Sequence, residues 1–143
     1  MGIKITPADS WFSKCVRARA NWCCERCHKQ YDASSTGLHN SHYHGRGNWS
    51  VRFDKENCEA LCYSCHMYVT ANPHEHHKRC LQKLGGGSYD LLNERKNDIG
   101  LAKEYRRTKG KGSIATHFKL EYEKLLKERE TGTTKNLDFE NYL

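Results

Sequence analysis

Apolar side chains recur every three or four positions near the start of the chain: Trp11, Phe12, Cys15 and Val16, followed by Arg19. That spacing places them on one face of a helix. Asp9 or Ser10 can cap it, and it should end near Asn21, before a Cys24–Cys27 turn. Residues 32–40 (DASSTGLHN) read as a polar loop. The pattern then changes period. In SHYHGRGNWSVRFD, His42, His44, Trp49, Val51 and Phe53 supply alternation and β-forming side chains, which predicts two short extended pieces around a Gly45–Gly47 turn.

Glu56 to Leu61 leads into a second turn, Cys62–Cys65, after which His66 should open a helix that stops before Pro73. A helix over His74–Leu84 should end at the Gly85–Gly87 run, and Ser88 can cap another through about Lys96. The stretch KEYRRTKGKG is basic, and its late glycines predict a hinge or loop. A last helix is expected over Ile114–Arg129, with Phe118, Tyr122, Leu125 and Leu126 as its stripe. That stripe either packs on the body or supplies a homodimer interface. Leu137, Phe139 and Tyr142 give the polar tail a way to dock, and without them it would be loose. The expected class is α+β: a hairpin packed on a helix, with further α-helices at both ends. The expected organisation is a core region at 1–97 and a basic helical extension at 98–143.

Composition narrows the chemistry. Only 36% of the 143 residues are hydrophobic, so a core built from them alone would be thin and a metal or cross-link would help. Lysine and arginine outnumber aspartate and glutamate by 24 to 17, a formal charge of +7, which favours an acidic polymer as partner. No run of about 18 apolar residues exists, so no membrane partner is expected. The N-terminus lacks the apolar stretch of a signal peptide, which points to the cytoplasm. In a reducing compartment eight cysteines are better read as metal ligands or buried thiols than as disulfides.

Two CxxC turns, Cys24–Cys27 and Cys62–Cys65, each present two thiolates on one side. Together they can close a tetrahedral zinc shell with no open position, and so a structural site. Cys15 and Cys80 read as core thiols on helical faces, and Cys58 as a thiol buried before the second knuckle. Between and just after the knuckles lie His42, Asn57 and His66, which a strand, a loop and a helix start can fold around one point. Hydrolysis of a phosphodiester needs a base for water, which a histidine supplies, and a divalent cation to neutralise the charge that gathers on phosphorus and the leaving oxygen. Magnesium or another divalent metal would serve, with His66 as ligand. Asn57 can fix the loop or orient the base. Arg46 and Arg52 flank the expected hairpin and can bind phosphate, and Arg106, Arg107, Lys109 and Lys111 can track a nucleic-acid backbone.

Cys24-x-x-Cys27, Ser41-His42, Asn57 and Cys62-x-x-Cys65-His66 together resemble the CxxC-containing HNH (His-Me finger) endonucleases. The longer string, from FSKCVRARANWCCERC through SHYHGRGNWSVRFDKENCEALCYSCH to NPHEHHKRCLQKLGG, is similar to the lambda-type NinG (Rap) recombination endonucleases of phages. The resemblance spans about residues 9–97. It implies a small ββα-metal core, DNA as substrate, a role in recombination, and branched DNA as one form of that substrate. By position it implies His42 as general base, Asn57 as the central asparagine, His66 as metal ligand and the four cysteines as zinc ligands. The chain departs from the family at Ser41, where many members carry a metal-binding aspartate or histidine. His44 is then a candidate ligand, because residues 42 and 44 of one strand face the same way. His74, His76 and His77 are expected on a solvated helix face. The competing reading is a zinc-stabilised nucleic-acid-binding module without catalysis.

Overall fold

A computed structural model describes residues 2–108 and 112–143. Among them lie helices α1 (Pro7–Arg19), α2 (Tyr63–Ala71), α3 (Pro73–Leu84), α4 (Gly86–Lys96), α5 (Ile99–Thr108) and α6 (Ser113–Arg129), and strands β1 (Leu38–His42) and β2 (Cys58–Cys62). The chain is therefore α+β, with a two-stranded antiparallel sheet pairing Leu38 with Cys62, Asn40 with Ala60, and His42 with Cys58.

Helix α1 starts earlier than the apolar spacing suggests. Thr6 is its cap, Pro7 occupies the first turn, and Asp9 completes a reciprocal capping box with Thr6. The helix ends at a reversal in which Asn21 and Trp22 take positive φ (53° and 59°). Its buried face, Ala8, Phe12, Cys15 and Val16, packs on α6 through Ile114, Phe118 and Leu125. Phe12 and Phe118 meet edge to face at 4.9 Å. The α6 stripe thus turns inward onto α1, with Tyr122 partly buried and Leu126 exposed. The tail docks: Phe139 is buried against Phe12 and Phe118, and Leu137 N–H donates to the Arg19 carbonyl at 3.1 Å. Arg129 reaches back to the carbonyls of Ala18 and Arg19 and closes the exposed end of α1.

The hairpin differs from its expected form. The second strand is Cys58–Cys62, and residues 43–54 contain no strand. Val51 and Phe53 do turn inward, but through successive tight turns in which Val51 N–H bonds Asn48 O and Asp54 N–H bonds Val51 O. These turns bury every residue from Ser50 to Asp54, so the two-residue alternation read in so short a stretch does not mark a strand. β2, buried at every position, shows no alternation and so left no such mark in the sequence. Strand β1 begins at Leu38, inside the segment expected to be loop.

Helix α2 starts directly at the end of β2, with Cys62 at its cap position, so His66 sits in the first turn rather than opening the helix. Gly85 (φ 79°) alone separates α3 from α4, and Gly86 and Gly87 belong to α4. The basic segment is helical to Thr108. The expected hinge at Gly110 lies outside the described residues, as do Lys109 and Lys111, and Gly112 caps α6 at φ 74°. No helix among the described residues is long and apolar enough to cross a membrane.

Candidate functional site

The two CxxC turns converge. Cys24 and Cys27 come from the reversal after α1, and Cys62 and Cys65 from the β2–α2 junction. Their four Sγ atoms lie within 4.8 Å of one another, and Cys27 Sγ stands 3.7 Å from Cys62 Sγ. Thiolates about 2.3 Å from a tetrahedral metal are separated by roughly 3.8 Å, so the set fits a structural metal site. Cys23 stays outside it, donating to the His28 carbonyl at 3.1 Å. Arg26, stacked over Tyr68, donates to Cys65 Sγ at 3.3 Å and places a positive charge beside the thiolates. Cys15, Cys58 and Cys80 are buried thiols, as expected.

Asn57 pins the long β1–β2 connection. Its side-chain amide donates to the carbonyls of His44 (2.9 Å) and Val51 (3.0 Å), and its Oδ1 accepts from His44 N–H (2.9 Å). Being fully buried, it holds both ends of the 44–51 turn at once. His42 ends β1 against Phe12, and its Nε2 lies 3.0 Å from the Arg52 carbonyl. A carbonyl only accepts, so Nε2 carries the proton and Nδ1 keeps its lone pair. Burial holds the His42 imidazole down at about 4, and Arg46 and Arg52 push the same way against the hydrogen bond and Asp9.

His66 meets His39, which the sequence pattern places in a polar loop. The Nδ1 atoms of His39 and His66 are 3.0 Å apart, and their rings are nearly perpendicular. Burial lowers the His66 pKa, with His39 and Arg46 adding to the effect. Both imidazoles line a cavity of about 610 Å³ together with Lys14, Arg17, Asn40 and Arg46. No carboxylate is among its described lining. Arg46, paired loosely with Asp9 at 3.6 Å, acts electrostatically on both His42 and His66. The signal that would have found His39 was strand β1 itself. Without apolar alternation the segment offered no period to place it.

Several expected site residues lie elsewhere. Arg52 is 2% exposed and cannot reach a phosphate; it holds Asp9 through Nε (3.0 Å) and Nη2 (2.7 Å), and its guanidinium lies 4.4 Å over Trp49. His44 turns away from the pair toward α3 and α4, its Nε2 3.0 Å from Asn93 Oδ1 and its ring beside His77. β1 ends at His42, so strand alternation does not extend to residue 44. Ser41 is buried with its Oγ 3.3 Å from His76 Nε2. His76 is itself buried, next to Glu59 and Tyr43, rather than on a solvated face. Arg106 and Arg107 are exposed on α5, with Arg107 paired to Glu104. No protein-family model, curated protein or solved structure matches the chain.

Proposed function

We propose that this chain is a metal-dependent DNA endonuclease of the HNH type, with zinc on the four cysteines. One observation carries the reading: a cationic cavity, with no carboxylate among its described lining, holds His66 and Arg46 at its wall, beside the strand that ends in His42. Lys14, Arg17 and Arg46 give that cavity the charge to receive a phosphodiester.

His42 is the base. Its protonated Nε2 is fixed by the Arg52 carbonyl, which leaves Nδ1 to accept the proton of an attacking water. Arg46 binds a non-bridging phosphate oxygen. Asn57 acts at one remove, by holding the turn that carries Arg46 and the carbonyl of Arg52. His66 holds the divalent ion, magnesium or another, which when bound neutralises charge on phosphorus and the leaving 3′ oxygen. Recombination and branched DNA belong to this proposal through the resemblance of the motif string, and a homodimer through the symmetric double cut that a branched substrate needs.

A second reading has its own observation: the His42 ring sits largely inside, against Phe12. A zinc-stapled DNA-binding module would bury it that way. Cleavage of supercoiled plasmid and of a synthetic four-way junction, with magnesium, manganese or nickel and a chelator control, separates the two. Metal-dependent cutting by wild type that is lost in His42→Ala supports the nuclease. Binding of both DNAs without any cutting supports the module.

A further inference from the structure

We infer that His39 and His66 together form a divalent-metal site, in which His39 supplies the ligand that Ser41 does not. This deepens the nuclease reading and rests on it for what the ion does, but the site itself is testable without cleavage.

The geometry is that of two ligands sharing one ion. Two nitrogens 3.0 Å apart, each about 2.1 Å from a metal, subtend an angle of about 90°. That is the cis angle of an octahedron, and a tetrahedral ion would want them nearer 3.4 Å. In the metal-free form one Nδ1 donates to the other, so the ion takes the place of the shared proton. A second observation points the same way. Asn40, 8% exposed, lines the same cavity, and neither its Oδ1 nor its Nδ2 has a partner. Both amide atoms are closed to solvent as the side chain stands, so a small rotation into the cavity would let the amide meet a water on the ion.

The donor set also selects the ion. Two neutral imidazoles suit nickel, zinc, copper or iron better than magnesium, which prefers oxygen. With no carboxylate in the described lining and Arg46 nearby, the ion's charge is uncompensated there until an anion enters. Metal and phosphate should therefore bind cooperatively, each raising the affinity of the other by the same factor.

The test is calorimetric titration of untagged, zinc-replete protein with nickel chloride, with and without a short non-cleavable phosphorothioate oligonucleotide. One nickel beyond the zinc is expected, bound more tightly with the oligonucleotide. His39→Ala and His66→Ala should each weaken it by at least roughly tenfold, since even outer-shell partners carry about that much. His44→Ala and His77→Ala should leave it unchanged, and unaltered melting temperatures show that the variants fold. Nickel binding as tight in His39→Ala as in wild type overturns the site, whatever the protein does to DNA. Binding that needs both imidazoles in a protein that cuts nothing upholds the site and removes the nuclease reading.

Discussion

Replacing Asp9 with alanine should be among the most damaging single changes to this fold, although Asp9 lies outside the proposed chemistry. Its carboxylate accepts Arg52 Nε and Nη2 at 3.0 and 2.7 Å, and also the Thr6 N–H and hydroxyl, both at 2.8 Å. Asp9 and Arg52 are both buried. The substitution strands a guanidinium without its counter-ion, at about 3–5 kcal/mol, and removes half of the α1 capping box, at about 1 kcal/mol. A total near 4–6 kcal/mol approaches the whole stability of many domains. In a chain of this size it should lower the melting temperature by roughly 10–20 °C. Removing both charges should be far milder: in Asp9→Leu with Arg52→Met, two apolar side chains can fill the space, and buried pairs replaced that way are often neutral. The assay is urea and thermal unfolding of zinc-replete protein, followed by circular dichroism across the double-mutant cycle. A cost below about 1 kcal/mol for Asp9→Ala, or a double variant no better than that single one, would refute the argument. Acid should show the same interaction. Burial by itself would raise the Asp9 pKa, but the hydrogen bonds from Arg52 and Thr6 outweigh it and hold the group below its ordinary 3.8. The pair's contribution is therefore complete above 3.8 and is lost as pH falls through the depressed folded value.

Other expectations follow from single contacts. Cys24→Ser with Cys62→Ser should abolish stoichiometric zinc by elemental analysis and lower the melting temperature, because metal affinity is part of the folding free energy; unchanged stability would remove the shared staple. Asn57→Ala should cost about 2 kcal/mol or more in urea unfolding, since it orphans buried backbone groups at both ends of the 44–51 turn. Phe118→Ala should cost about 3–5 kcal/mol, because Phe118 is fully buried between Phe12, Phe53 and Phe139. If His42 is the base, cleavage should be flat through neutral pH and fall only as pH drops toward its value of about 4, where the ring gains a proton. A fall already centred near 6.5 would mean that another group titrates.

Much of this protein was legible one segment at a time. The CxxC spacings announced their metal-binding geometry, because a turn presents two thiolates wherever it is placed. Helix α5 was not foreseen; the other helices were visible because a 3.6-residue period is a local property. Pro73 and Gly85 marked their breaks. Tertiary structure decided the rest. Whether an arginine faces solvent or a buried carboxylate depends on a partner 43 residues away, and Arg52 found Asp9. Which histidine stands beside His66 depends on the register that sets Leu38 against Cys62, and that register brings His39 there, on the opposite strand face from the His42 that the motif spacing favours. β1 carries polar residues because His39 and Asn40 line a cavity and Ser41 lies against the buried His76. A strand so placed has no hydrophobic period to read, and only the pairing of distant segments reveals it.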